Sequence, residues 1–171
     1  KAAAFMKQLR NGLRNTPVAL SSYRYPKFHP ELPWKEFLSA CDYNMPQVYW
    51  EQAHNPAAQL ERSLEQFRSV SPIREIIPTG SLYITGGWLP SPSDVSEFFH
   101  AAFAQHLKAV NLYVWDHKIY LQPQWNAAAS FDWQRSVVQT DIAEVFFQAL
   151  NTHDPKLITN LYDPRAVLIT A

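Results

Sequence analysis

Apolar positions along the chain alternate between two spacings, and their order predicts a strand followed by a helix, repeated several times. The chain opens on a helical spacing, with Ala2, Ala3, Ala4, Phe5, Met6 and Leu9 in phase, closing near Asn11-Gly12 where glycine suits a helix C-cap. From Pro17 the spacing shortens to the extended run Val18-Ala19-Leu20-Ser21-Ser22-Tyr23, and a proline-containing loop then leads into a helical stretch from Pro33 to Ala40. A second unit runs from Asn44 to Trp50, turns at His54-Asn55-Pro56 and continues as a helix over Ala57 to Val70, with Asn55 as N-cap and proline at N1. The third strand covers Glu75 to Thr79. A loop with Gly80, Gly86, Gly87 and Trp88 follows it, then a helix from Ser93 to Leu107 whose start is assigned to Ser93 with Ser96-Glu97 nearby. The fourth strand covers Ala109 to Asp116 and is followed by an irregular connection and a short helix around Gln124 to Ala129.

Strand-helix units spaced about 30 residues apart imply parallel strands joined by right-handed crossovers. The same alternation describes half of a doubly wound sheet, but the strands are short and no glycine-rich phosphate turn follows the first of them. Side-chain parity favours a barrel. If Val18 and Leu20, Pro46 and Val48, and Val110, Leu112 and Val114 face the helices, the opposite faces carry Ser21 and Tyr23, Gln47 and Tyr49, and Asn111, Tyr113 and Trp115. Those faces grow more polar and aromatic toward the strands' C-terminal ends, where a barrel places its active site. The expected fold class is therefore α/β, as the second half of a (β/α)8 TIM barrel over residues 1–134. Beyond Trp133 the helical run Thr140 to Leu150, the turn Asn151-Thr152-His153-Asp154-Pro155 and the extended start Ala166 to Thr170 predict a helical piece opening a separate α+β domain, 138–171. Both ends read as cut, because no strand precedes the first helix and the last piece lacks the sheet it would need.

Composition narrows the functional classes. Lys+Arg and Asp+Glu are both 15, so no net charge draws the chain to phosphate backbones or anionic lipid, and neither nucleic acid nor membrane is an expected partner. No apolar run approaches the roughly 20 residues that cross a bilayer, and Lys1 begins neither a signal peptide nor an initiating Met. The single cysteine, Cys41, excludes an internal disulfide and a multi-cysteine metal site. His29, His54, His100, His106, His117 and His153 show no metal-ligand spacing and read as surface or capping residues, so no cofactor and no metal is expected. Ser21 and Ser22 lie at a strand end but lack a nucleophile elbow.

The runs Ser22-Tyr23-Arg24-Tyr25-Pro26, Asp42 to Trp50, Ile77-Pro78-Thr79-Gly80 and Val110 to Asp116 resemble the last four strands of a glycoside-hydrolase-type barrel of the lysozyme-like or chitinase-like families. The segment Ala143 to Ala171, with Phe146-Phe147-Gln148-Ala149-Leu150-Asn151-Thr152-His153-Asp154 and Leu161 to Val167, resembles the opening of the SnoaL-like, ketosteroid-isomerase-like fold. The first resemblance implies an oligosaccharide or cell-wall glycan as ligand. It implies hydrolysis of O-glycosyl bonds in an intact parent whose principal carboxylates lie on earlier strands, and little or no activity in this chain.

Glycoside hydrolysis commonly needs two carboxyl groups flanking the scissile bond. Glu51 follows Trp50 on the parity of Gln47 and Tyr49 and is a candidate acid or base, the alternative being a solvated loop carboxylate. Asp116 directly follows Trp115 and would assist catalysis or bind a hydroxyl, unless it only caps a turn. Gln47 and Asn111 can both donate and accept toward sugar hydroxyls, or they fill a satisfied polar layer. Tyr23, Tyr49, Tyr113, Trp115 and Trp88 offer ring faces for stacking, whereas Trp50 turns toward the helices. Arg24 reads as a surface ion pair or a carboxylate fork. A non-catalytic glycan-binding module and a purely structural or interaction segment remain open alternatives, and half a barrel leaves sheet edges that invite self-association.

Overall fold

Strand and helix alternate as the apolar spacing requires in the computed structural model, which describes residues 1–115 and 120–133. In chain order the elements are α1 (Ala2–Gly12), β1 (Ala19–Tyr23), α2 (Trp34–Ala40), β2 (Tyr43–Gln47), α3 (Pro56–Phe67), β3 (Glu75–Ile76), β4 (Thr79–Ser81), α4 (Pro92–Ala104), β5 (Asn111–Tyr113) and α5 (Gln122–Ala129), with a 3-10 turn at Pro26–Phe28. Every pairing is parallel: β1 with β2, β2 with β3 and β4, and β4 with β5. The strand order is β1-β2-β4-β5, so the fold is α/β with an open parallel sheet. Among the described residues β1 and β5 are paired on one side only. Residues Lys1–Phe131 form one compact unit.

One face of the sheet is covered and the other is open at β1 and β5 but closed over at β4, where Thr79 and Ser81 are buried, and the strand parity decides which residue goes where. Pro46, Val48 and Trp50 are buried, as are Leu60, Leu64 and Phe67 of α3 and Val95, Phe98 and Ala102 of α4, which share the core with them. On the opposite parity Ala19, Ser21, Tyr23, Asn111 and Tyr113 are exposed, and Met45, Gln47 and Tyr49 are half-buried. Gly80 lies on the covered face where there is no room for a side chain: a Cβ there would stand 2.8 Å from Phe98 Cε1 and 2.9 Å from two atoms of the Trp50 ring. Trp50 and Phe98 rings are 5.0 Å apart over that glycine, which lets α4 settle against the strand.

Several local expectations are corrected. The third strand is not one run over Glu75 to Thr79. It breaks at Ile77-Pro78, where proline has no N–H for the ladder, and resumes through Gly80 to Ser81. Gly12 lies inside α1, and the chain leaves the helix through Leu13 at φ −120° rather than through a left-handed glycine. The cap of α4 is Ser91, not Ser93: its Oγ accepts from the Asp94 amide at 3.1 Å while Asp94 Oδ2 accepts from the Ser91 amide at 2.7 Å, completing a reciprocal box. Asn55 precedes Pro56 at the start of α3, but its side chain accepts from Gln59 Nε2 at 3.0 Å and does not cap the helix. Asp116 and the SnoaL-like segment 138–171 lie outside the described residues.

Candidate functional site

Parallel register places the sequence-selected polar residues in rows across the uncovered face. Tyr23 lies beside Gln47, Gln47 beside Thr79, and Thr79 beside Asn111, so all four belong to one row. Asn111 Nδ2 donates to Thr79 Oγ1 at 3.2 Å within this row, and Gln47 Nε2 donates out of it to Ser21 Oγ, on the neighbouring row, at 3.3 Å. The row toward the C-terminal ends holds Tyr49, two residues beyond Gln47, and Ser81 beside Tyr113. Ser81 Oγ accepts from the Trp50 amide at 3.1 Å, which ties the end of the β2 segment to β4.

Three tyrosines gather at this end. Tyr49 and Tyr83 meet edge-to-face at 5.4 Å, Tyr83 and Tyr113 at 5.9 Å, and Tyr49 lies 6.1 Å from Tyr113. Edge-to-face geometry at these separations puts the positive rim of one ring on the negative face of the next. Tyr83 continues to Trp88 at 6.1 Å, and Trp88 to His54 at 5.7 Å, so a chain of rings runs from β5 to the loop that opens α3. Trp88 Nε1 is shut off from solvent, so what this indole offers a ligand is its ring face. The loop carrying it is pinned by reciprocal amide bonds between Thr85 and Trp88 and turns through Gly86 and Gly87, both at positive φ.

Charge at the rim is sparse. Glu51 is exposed in the turn after Trp50 and acts on Tyr49, whose phenol is pushed up to about 12, first by burial and then by the nearby Tyr113 and Glu51. Tyr49 is therefore a hydrogen-bonding phenol at neutral pH and not a base. Arg24, read from the sequence as a surface pair or a carboxylate fork, does neither: it is half-buried, donates to the Tyr49 carbonyl and stacks 4.9 Å over Tyr25. It thereby fixes the backbone that presents Tyr49. Tyr23 stacks on His29 at 3.5 Å, beside β1, and borders a groove of about 460 Å³ with Ser21, Gln47, Trp34 and Phe37. Trp115 is exposed, with its ring 4.9 Å from Trp125 of α5.

The structure thus brings Gln47, Asn111 and Tyr23 into one row and Tyr49, Tyr113 and Trp88 into one aromatic chain, with Glu51 beside Tyr49. Tyr83, Thr79, Ser81, His54 and Asp94 belong to the same end and were not singled out from the sequence. Tyr83 follows a glycine-containing strand that reads as loop, and the His54–Asp94 contact spans 40 positions with no motif to announce it. A larger cleft, about 900 Å³, lies at the opposite ends of the strands between α1 and α2 and includes Lys7, Arg10, Cys41, Asp42 and Arg74. There Arg10 Nη2 meets Asp42 Oδ2 at 2.7 Å, and this bond, followed by one from the Val18 amide, holds the Asp42 carboxyl below its usual range. Among the described residues no three His, Cys, Asp or Glu side chains converge as a metal site, and no helix is long and apolar enough to cross a membrane. Comparison of the chain with family models, curated proteins and solved structures returned no match.

Proposed function

We propose that the chain is half of a glycosidase-like (β/α)8 barrel and that it takes an oligosaccharide or cell-wall glycan at the C-terminal strand ends. The observation that carries this reading is the ring chain Tyr113–Tyr83–Trp88, with Tyr49 packed into it, standing above a row of Gln47, Thr79 and Asn111. A pyranose has apolar C–H faces and a belt of hydroxyls, so it calls for flat rings beside groups that both donate and accept. In this reading Trp88, Tyr113 and Trp115 stack, Gln47, Asn111 and Tyr49 hydrogen-bond, and Tyr23 extends the site along β1.

Glu51 is a carboxylate in the turn four residues beyond the end of β2, and Asp94 is occupied by the start of α4. Retaining or inverting hydrolysis needs two carboxyl groups about 5 to 9.5 Å apart, so binding without hydrolysis is the form of the function that the described residues support. The test is a titration of chitotetraose, cellotetraose and a muropeptide disaccharide against the full chain, following tryptophan emission. We expect a saturable change with at least one of them, weakened about tenfold, ~1.4 kcal/mol, in Trp88→Ala, and no release of reducing ends. Emission that stays constant with all three sugars would remove the carbohydrate reading. Reducing ends released by the wild type and not by Glu51→Gln would replace binding by hydrolysis.

A further inference from the structure

His54 is the imidazole in the aromatic chain, and its geometry goes beyond that of a surface side chain. Its Nδ1 is 2.7 Å from Asp94 Oδ2. Asp94 is buried, its side chain 7% exposed, while half of the His54 side chain, 50%, remains open to solvent. The same Asp94 oxygen also accepts from the Ser91 amide at 2.7 Å, so the carboxylate is held from two directions and cannot swing with the histidine. An ionised carboxylate only accepts hydrogen bonds, so the proton in the His54–Asp94 bond sits on Nδ1. In the neutral ring that leaves Nε2 as an acceptor at the opposite edge. The backbone supports the arrangement at some cost, since His54 takes φ +45° and Gln52, two residues earlier, takes φ +63°.

We propose that His54 is a ligand-binding residue of the rim. Its tautomer is set by Asp94, and Nε2 accepts a hydrogen bond from a hydroxyl of the sugar that stacks on Trp88. The proposal rests on the glycan reading above and adds to it a residue and a direction: the ring 5.7 Å from Trp88 reads a donor on the ligand, not an acceptor. Asp94 is then a positioning residue, acting through His54. The competing assignment, that His54 only ties its loop to the start of α4, uses Nδ1 alone and leaves Nε2 without a role.

His54→Asn separates the two. An asparagine amide nitrogen falls near the position of Nδ1 and preserves the bond to Asp94, and asparagine accepts a left-handed backbone readily, but nothing remains at Nε2. We expect the full-length variant to unfold at the wild-type denaturant midpoint and to bind the oligosaccharide identified by the wild-type titration about tenfold more weakly, ~1.4 kcal/mol. His54→Gln, whose amide reaches toward the Nε2 position, should recover part of that affinity while losing stability. Independently of any ligand, nitrogen-proton correlation spectra of the free protein, taken where the ring is neutral, should show His54 with its proton on Nδ1. Wild-type affinity in His54→Asn would overturn the role of His54 and leave the glycan reading standing, whereas absence of wild-type binding to every sugar would overturn both. A proton found on Nε2 in the free protein would overturn the assignment by itself.

Discussion

Tyr49 joins the electrostatics of the rim to its packing. The neutral phenol is favoured in the folded chain by burial first, then by Tyr113 and by the charge of Glu51, so its ionisation is pushed up to about 12. An unfolded tyrosine ionises near ~10. Because the folded value is the higher of the two, the associated stability is complete below about pH 10 and is lost as the pH rises through about 12. Denaturant midpoints measured across that window should fall more steeply for the wild type than for Tyr49→Phe, which keeps the ring and deletes the titrating hydroxyl. Equal slopes would mean that Tyr49 ionises as freely folded as unfolded. At this scale the sequence was informative wherever strand parity alone fixes direction: Gln47, Tyr49, Asn111 and Tyr113 lie on the face that alternation assigns them, and Trp50 lies on the other. Residues positioned by loops were not legible, because the partners of His54 and Arg24 depend on chain crossings that no local spacing encodes.

At the scale of elements, the join between β4 and α4 depends on a missing side chain. A Cβ at position 80 would lie 2.8 Å from Phe98 and 2.9 Å from Trp50, closer than carbon atoms approach, and both rings are fully enclosed. Gly80→Ala should therefore destabilise the chain by about 1–3 kcal/mol through overpacking, read as a lower denaturant midpoint. Combining it with Trp50→Phe, which frees space at the same point, should recover part of the loss. An alanine variant as stable as the wild type would show that α4 shifts without cost. The same glycine explains why the third strand was expected to end at Thr79 and not at Ser81. A run with Pro78 and Gly80 carries two strand-breaking residues, and only the packing of α4 shows that the second is there for close approach. Elements with a long apolar period, α3 and α4, were legible from spacing. The start of α4 was displaced by two residues because Ser91, Ser93 and Ser96 are all plausible caps and only Ser91 has an acidic residue three positions on whose oxygen reaches back to its amide.

For the molecule as a whole, the sheet path β1-β2-β4-β5 ends on two strands with an unpaired side among the described residues, β1 over Ala19–Tyr23 and β5 over Asn111–Tyr113. Tyr23 and Tyr113 are about half exposed, 52% and 51%, on the uncovered face that both strands share. Unpaired parallel edges next to exposed rings favour pairing with another chain. The 171-residue chain should therefore show concentration-dependent association in sedimentation velocity, weakened by Tyr23→Lys, which puts charge on the β1 edge. A monodisperse monomer at every concentration would count against pairing through these strands. The alternation of strand and helix made the α/β class legible from the sequence. Curvature and closure were not, because they depend on strand tilt and register accumulated over a whole sheet.

The two ends of the strands are unequally secured. α1 buries Met6 alone and is otherwise tethered by the Arg10 guanidinium, which reaches the Ala40 carbonyl and the Asp42 carboxylate, while Phe5 faces water. Fraying should begin there, and α1 contains no indole to report it. Proteolytic nicking at that end would then leave the optical signal and the sugar-facing rings unaltered, so a chain that has already begun to come apart would still pass a ligand assay as intact.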